Sequence, residues 1–285
     1  MPAEEKGHPV ETRQLFIAVP VAPMFRGASG ESEQVSQALL AMPVVVERTL
    51  PGWREVRTPD GYSGWVREED LTAPPAEWDG PGCEVTDLWA NLRGAPDFRR
   101  AALLAAPIGT RLPRREVRDG WVQLLLPDGR MGWTEAHRVA ALNPNLPSAP
   151  FFWDQATRGE HSTAASVCAT ARRFLGIPYL WGGCSPWGLD CSGFVQLVFR
   201  LNGIPLRRDA NQQAEDGREA AEPGRGDLVF FGPPERPGAI THVGLLLDRT
   251  RFIHASGSDR VRINRLDEPY HTGRYRFARR FLPGW

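Results

Sequence analysis

Cys191 stands where a glycine-rich loop, YLWGGCSPWGLD, gives way to the apolar-periodic run CSGFVQLVFRLNGI. A thiol at a helix N-terminus faces backbone N–H groups that lack intrahelical partners and the positive end of the helix dipole, which favour a thiolate and lower the thiol pKa. Those are the conditions of a nucleophile. Downstream, His242 opens the apolar run THVGLLL and His254 lies in FIHAS. If the two runs form a hairpin with an odd loop centred on Asp248, the histidines stand directly opposite each other on one face; an even loop would offset them. An imidazole acting as base needs its second ring nitrogen held by a polar partner, a task His254 would serve. Cysteine, histidine and a third polar residue in this order fit nucleophile, base and orienting group. Taken singly, each has a plainer reading as a buried small hydrophobe or a structural histidine.

Two stretches of helical period precede and follow the loop. Ala164, Val167, Cys168, Ala171 and Leu175 share one face of a helix capped by Ser162 or Thr163 and stopped by Gly176 and Pro178. Phe194, Leu197, Val198 and Leu201 make the apolar face of a helix beginning at the cysteine. After Pro223 the period becomes that of strands, at 227–231, 241–248, 251–256, 261–265 and 274–281. Helices followed by an antiparallel meander predict an α+β domain over 161–285.

Residues 12–140 consist of short β-like runs punctuated by Gly, Pro and Asp, and they contain an internal repeat. PGWREVRTPDGYSGWVREEDL (51–71) and DGWVQLLLPDGRMGWTEAHRV (119–139) each carry GW, a strand, PDG, a turn and GW again. Trp53 matches Trp121 and Trp65 matches Trp133, both at an offset of 68 residues. The repeat predicts all-β modules at 12–73 and 82–140, their tryptophans filling small interiors. Proline-rich 72–81 and the stretch 141–160 read as linkers.

Lys plus Arg and Asp plus Glu number 34 each, so no broad positive field exists to draw nucleic acid or an acidic membrane surface. No stretch approaches the roughly 18 apolar residues of a membrane span. The N-terminal MPAEEKGHPVETRQLF has neither the basic run nor the apolar segment of a secretion signal. Four scattered cysteines suit a reducing compartment. A zinc site built from Cys184, Cys191, His242 and His254 is poorly served by the seven-residue cysteine spacing. The histidines at 8, 137, 161 and 271 show no partner pattern.

YLWGGCSPWGLDCSGFVQLVF, RGDLVFFG, THVGLLL and FIHAS together resemble the NlpC-type papain-like cysteine peptidases of bacterial cell-wall metabolism. Gly61-Tyr62-Ser63-Gly64-Trp65-Val66 resembles the closing turn of bacterial SH3-like barrels, and Gly129 to Thr134 does so more loosely. The implied architecture is multidomain: two small all-β SH3-like barrels followed by an α+β papain-like peptidase domain. It is similar to that of γ-D-glutamyl-L-diamino acid endopeptidases, which act on peptides already released from the wall.

By that resemblance Cys191 is the nucleophile, His242 the base and then acid, and His254 the orienting residue, with the Tyr179 hydroxyl helping to polarise the scissile carbonyl. Glu33, Tyr62 and Asp209 would surround the free ammonium of an N-terminal L-alanine, since a buried charge needs a partner. Ser192 would lie beside the substrate's D-glutamyl group, and Asp190 would belong to the substrate-binding residues. Ala210 stands where the subfamily commonly has serine, and Cys184 where relatives have another small residue; oxidation to a Cys184–Cys191 disulfide would silence the enzyme. A monomer without metal or cofactor is expected, acting on a diaminopimelate or lysine peptide, and the absence of a signal together with a taste for released fragments suggests cytoplasmic recycling. An amidase or acyltransferase on the same fold, and a wall-binding adaptor with a vestigial peptidase domain, are the rival readings.

Overall fold

The repeated GW–PDG–GW pattern folds twice into the same seven-stranded sheet. In the computed structural model, which describes residues 14–142, 162–257 and 259–282, the first copy comprises β1 (Gln14–Ile17), β2 (Val21–Phe25), β3 (Gln34–Leu39), β4 (Pro43–Leu50), β5 (Trp53–Arg57), β6 (Ser63–Arg67) and β7 (Leu71–Thr72). The second comprises β8 (Gly82–Val85), β9 (Trp89–Arg93), β10 (Ala102–Pro107), β11 (Arg111–Arg118), β12 (Trp121–Leu125), β13 (Met131–Glu135) and β14 (Val139–Ala141). Strand order is β3-β2-β6-β5-β4-β1-β7 in one and β10-β9-β13-β12-β11-β8-β14 in the other, the same path displaced by one copy. The PDG turns are equivalent down to their backbone hydrogen bonds. Thr58 N–H donates to Tyr62 O and Gly61 N–H to Thr58 O, as Leu126 N–H does to Arg130 O and Gly129 N–H to Leu126 O. Both turns need glycine, because Gly61 and Gly129 have φ of +81° and +85°.

Trp65, Trp121 and Trp133 are buried as expected, whereas Trp53 is half-buried under the Arg67 guanidinium, 5.1 Å from the ring centroid. The expected linker at 72–81 is structured. Thr72 pairs with β1, Trp78 packs against Phe16 and against the apolar core of the second barrel, and Arg115 donates to the carbonyls of Glu77 and Asp79. Leu40 and Ala41 of the first barrel enter that same core, so the barrels form one unit rather than two beads on a string. Ala141 extends β14; the rest of the expected linker at 141–160, Leu142 apart, lies outside the described residues.

The second unit begins with α1 (Ala164–Arg172), capped by Thr163 through a reciprocal bond with Ser166. Val167, Cys168 and Ala171 face inward, but Phe174 rather than Leu175 continues the buried stripe, because the helix ends before Leu175. The tight loop pairs β15 (Cys184–Ser185) with β16 (Gly188–Leu189) and delivers α2 (Cys191–Leu201). Then come α3 (Ala210–Glu215), β17 (Arg218–Glu219), β18 (Leu228–Phe231), β19 (His242–Leu246), β20 (Arg251–Ala255), β21 (Val261–Arg265), α4 (Pro269–Thr272) and β22 (Tyr275–Arg280). The sheet order is β17-β22-β18-β19-β20-β21. Strands β18 to β21 are the expected meander; the final strand departs from it, since α4 carries the chain back to the free side of β18.

Helix α2 is apolar and buried around its circumference through Phe194, Val195, Leu197, Val198 and Phe199, which makes it the axis of this unit. Its first turn touches the glycine loop so closely that a Cβ on Gly193 would lie 2.2 Å from Gly183 O. Backbone cannot retreat there without opening the β15–β16 hairpin. Gly193→Ala is therefore expected to destabilise the peptidase unit by about 3 kcal/mol or more, read as a fall in its denaturant midpoint.

Candidate active site

Asp190 fixes the start of α2, its Oδ1 accepting from Gly193 N–H at 2.7 Å, and so sets Cys191 at the helix N-terminus. Arg208, buried, donates to both Asp190 oxygens (3.1 and 2.6 Å) and to Ser192 Oγ (2.9 Å). Asp190 and Ser192, both expected to bind substrate, are thus held in a buried ion-pair network behind the cysteine. Gln213 of α3 reinforces it, donating to Ser192 O at 3.2 Å. Asp209 precedes α3 with its N–H on Gln212 Oε1 (3.1 Å), and Ala210 opens the helix as a buried residue. Arg208 was missed in sequence reading because an arginine in a polar loop gives no sign of being buried.

Strand β19 supplies the facing wall. Val243 N–H donates to the Cys191 sulfur, and the residue before it is His242. Leu245 pairs with Ile253 and Leu246 with Phe252, which centres the hairpin on Arg249 instead of Asp248. His242 and His254 therefore share a face as diagonal neighbours, not as a directly opposed pair. The residue opposite His254 is Gly244, where a Cβ would come within 3.2 Å of the His254 Cβ and 2.6 Å of the Phe252 ring. That gap lets the rings meet, with His242 Nε2 and His254 Nδ1 2.8 Å apart.

The contact continues beyond the residues singled out from sequence. His254 Nε2 lies 3.1 Å from Asn264 Oδ1, and Asn264 Nδ2 donates to Glu268 Oε2 at 2.7 Å. A carboxylate only accepts, so Asn264 must turn its NH₂ toward Glu268 and its carbonyl toward His254. His254 then carries its proton on Nε2, leaving Nδ1 to accept from His242 Nε2–H. The His242 lone pair is left on Nδ1. Parity of the β20–β21 pairing, with His254 opposite Arg262, puts Asn264 on the histidine face; nothing in the strand's composition marks it. His271, buried, forms another wall of the cluster, its ring centroid 5.8 Å from that of His254.

Burial governs the protonation states. It pushes the Cys191 thiol up to about 12, assisted by the neighbouring Asp190 charge, against the lowering effects of the Val243 and Ser192 amides and Arg208. It pushes His242 down to about 3 and His254 to about 4, with the charge of neighbouring histidines acting in the same direction on each. The helix-terminus effect expected at Cys191 is present but outweighed, so the resting pair is neutral thiol and neutral imidazole. Tyr179, whose hydroxyl burial raises above its usual value, stays a donor. Tyr179, Cys191, His242 and His254 line one cavity of about 600 Å³. None of the four cysteines is in a disulfide, and among the described residues no three His, Cys, Asp or Glu side chains group as a metal site requires.

In the first barrel, Glu33 is ion-paired with Arg26 at 2.8 Å, and Tyr62 is half-buried at the end of the PDG turn. Residues 176–280 match the NlpC/P60 family model, and residues 24–71 match the model of a bacterial dipeptidyl-peptidase Sh3 domain. A γ-D-glutamyl-L-lysine dipeptidyl-peptidase of Bacillus cereus is 30% identical over 264 residues, covering 87% of this chain and 75% of its own. The chain belongs to the NlpC/P60 family. This NlpC/P60 protein is also 29% identical to dipeptidyl-peptidase 6 of Lysinibacillus sphaericus over 84% of its length and 86% of that enzyme's. The crystal structure of an NlpC/P60 family protein from Bacillus cereus superposes with a TM-score of 0.81 at 25% identity, over 95% of this chain and all of that one. The NlpC/P60 assignment makes it a cysteine peptidase with a bacterial SH3 region ahead of the catalytic domain.

Asn264→Leu removes the acceptor that holds the His254 proton and frees both histidines to take the wrong tautomer. It is expected to lower kcat by roughly 10²-fold or more with little change in KM, while Asn264→Asp, which still accepts from His254, retains more activity. The pH profile supplies a second check. His242 must be neutral to take a proton, and burial moves its titration acid of the ordinary imidazole, so kcat/KM should hold at pH 5, where an unperturbed histidine near 6.5 is protonated.

Proposed function

We propose that the protein is a γ-D-glutamyl-diamino acid endopeptidase acting on peptides derived from peptidoglycan, in the recycling of released wall fragments. The observation that carries this reading is similarity spanning both the barrel region and the catalytic domain with an enzyme named for γ-D-glutamyl-L-lysine peptides. A match confined to the catalytic domain would support a cysteine peptidase and nothing narrower.

Cys191 attacks the carbonyl of the γ-glutamyl amide as His242 Nδ1 takes the thiol proton. Neither ion exists beforehand in the buried pair, so deprotonation accompanies attack. The oxyanion that forms is held by the Cys191 backbone N–H and the Tyr179 hydroxyl. His242, now an imidazolium stabilised through His254, Asn264 and Glu268, returns its proton to the leaving amine. Water then hydrolyses the thioester by the reverse sequence of proton transfers.

Selection of a free N-terminal L-alanine is proposed for the first barrel, through Glu33 and Tyr62, as the resemblance implies. Glu33 already has a cation partner in Arg26, and the substrate ammonium would compete with that guanidinium for one carboxylate. The exposed pair contributes little by itself, so the exchange costs little.

Incubation with L-Ala-γ-D-Glu-diaminopimelate and with its N-acetylated form tests both parts. The free peptide should be cleaved and the acetylated one slower by at least about tenfold, with Cys191→Ala inactive on both. Equal rates would refute the free-amine requirement alone; full activity in Cys191→Ala would refute the mechanism.

A further inference from the structure

The active-site cavity does not end at the histidines. It continues past them to Arg262 on β21, Asn264, Glu268, and Tyr270 with Arg274 around α4. The charges there are unequally committed. Glu268 is engaged at both oxygens, Oε2 accepting from Asn264 and Oε1 from Arg265 N–H at 2.8 Å. Arg262 and Arg274, by contrast, form no ion pair with any carboxylate among the described residues, in a protein where many other arginines do. Arg274, just past the end of α4, is held in place by that helix, stacked 4.1 Å over the Tyr270 ring with Nη1 donating to Tyr270 O at 3.3 Å. Arg262 stands opposite His254 in the β20–β21 register, on the strand next to that of the orienting histidine.

The side of the cavity on which these guanidiniums lie determines what reaches them. His242 must protonate the leaving amine, so the residue being released sits on the histidine side of Cys191. If the peptide is γ-glutamyl-diamino acid, that residue ends in a free carboxylate a few bonds from the amine. We propose that Arg262 and Arg274 form a carboxylate-binding subsite for the residue on the leaving side of the scissile bond, so that the enzyme requires a free carboxylate there as well as cleaving at the γ-glutamyl carbonyl. Guanidinium forks suit this ligand because they donate two parallel hydrogen bonds to its oxygens. The subsite rests on the reading of the substrate given above and adds a second charge requirement at the opposite end of the peptide.

The experiment compares L-Ala-γ-D-Glu-L-Lys with its C-terminal amide, which differ only in the carboxylate. Unmodified enzyme should prefer the acid in kcat/KM by about tenfold or more, the difference appearing mainly in KM. In Arg262→Gln/Arg274→Gln the two substrates should be cleaved with similar kcat/KM. Equal cleavage of acid and amide by the unmodified enzyme would overturn the subsite while leaving the γ-glutamyl reading intact. So would an undiminished preference in the double variant. Failure of the unmodified enzyme to cleave either peptide would overturn the γ-glutamyl reading and the subsite with it. The comparison on unmodified enzyme holds whether or not the double variant folds.

Discussion

Glu268 accepts hydrogen bonds and donates none, and from that one fact the arrangement of protons along the catalytic face follows. Asn264 has to offer it the amide nitrogen, which turns the amide oxygen to His254. His254 has to donate from Nε2, which leaves Nδ1 as an acceptor for His242. The orientation is transmitted through three residues on two adjacent strands and a loop, each step a hydrogen bond whose direction is dictated by the one before. Without the chain, His242 would carry its proton on either nitrogen, and half of its orientations would present an N–H to the sulfur. Because burial keeps both the thiol and the imidazole neutral at rest, no pre-formed charge pair corrects the error.

The opposite wall is built on a different principle. Asp190 and Arg208 are charges buried behind α2, an arrangement that costs desolvation and is tolerated because every Asp190 oxygen is bonded. What it secures is position: the helix start, the cysteine and the serine after it are tied to α3 through one guanidinium and one glutamine. Gly193 and Gly183 close the space between helix and loop at distances that admit no side chain. Cys191 is therefore held from the helix side by packing and from the sheet side by the Val243 amide, while the gap left by Gly244 lets the two histidine rings meet.

Much of this was legible in the sequence. The repeat fixed two like β-modules because its tryptophans and turn glycines recur at one offset, and the two sheets share one strand order. The shift of the hairpin centre from Asp248 to Arg249 was not legible, since parity alone satisfies either register on the same face. Asn264, Glu268 and Arg208 were not legible for a related reason: each acts through a partner distant in sequence, and polar residues on an edge strand or loop look solvated until the fold encloses them. The linker containing Trp78 misled because proline content signals an extended chain and is silent on whether that chain packs. The neutral resting state could not be read either. A helix N-terminus lowers a thiol pKa and burial raises it, and only the three-dimensional structure weighs one against the other.

The tautomer of His242 is the most direct test of this account. Long-range ¹H–¹⁵N correlation spectra of the two imidazoles at neutral pH report which ring nitrogen is protonated. The hydrogen-bond chain predicts His242 and His254 both neutral and both protonated at Nε2. A His242 protonated at Nδ1, or at both nitrogens as an imidazolium, would contradict it.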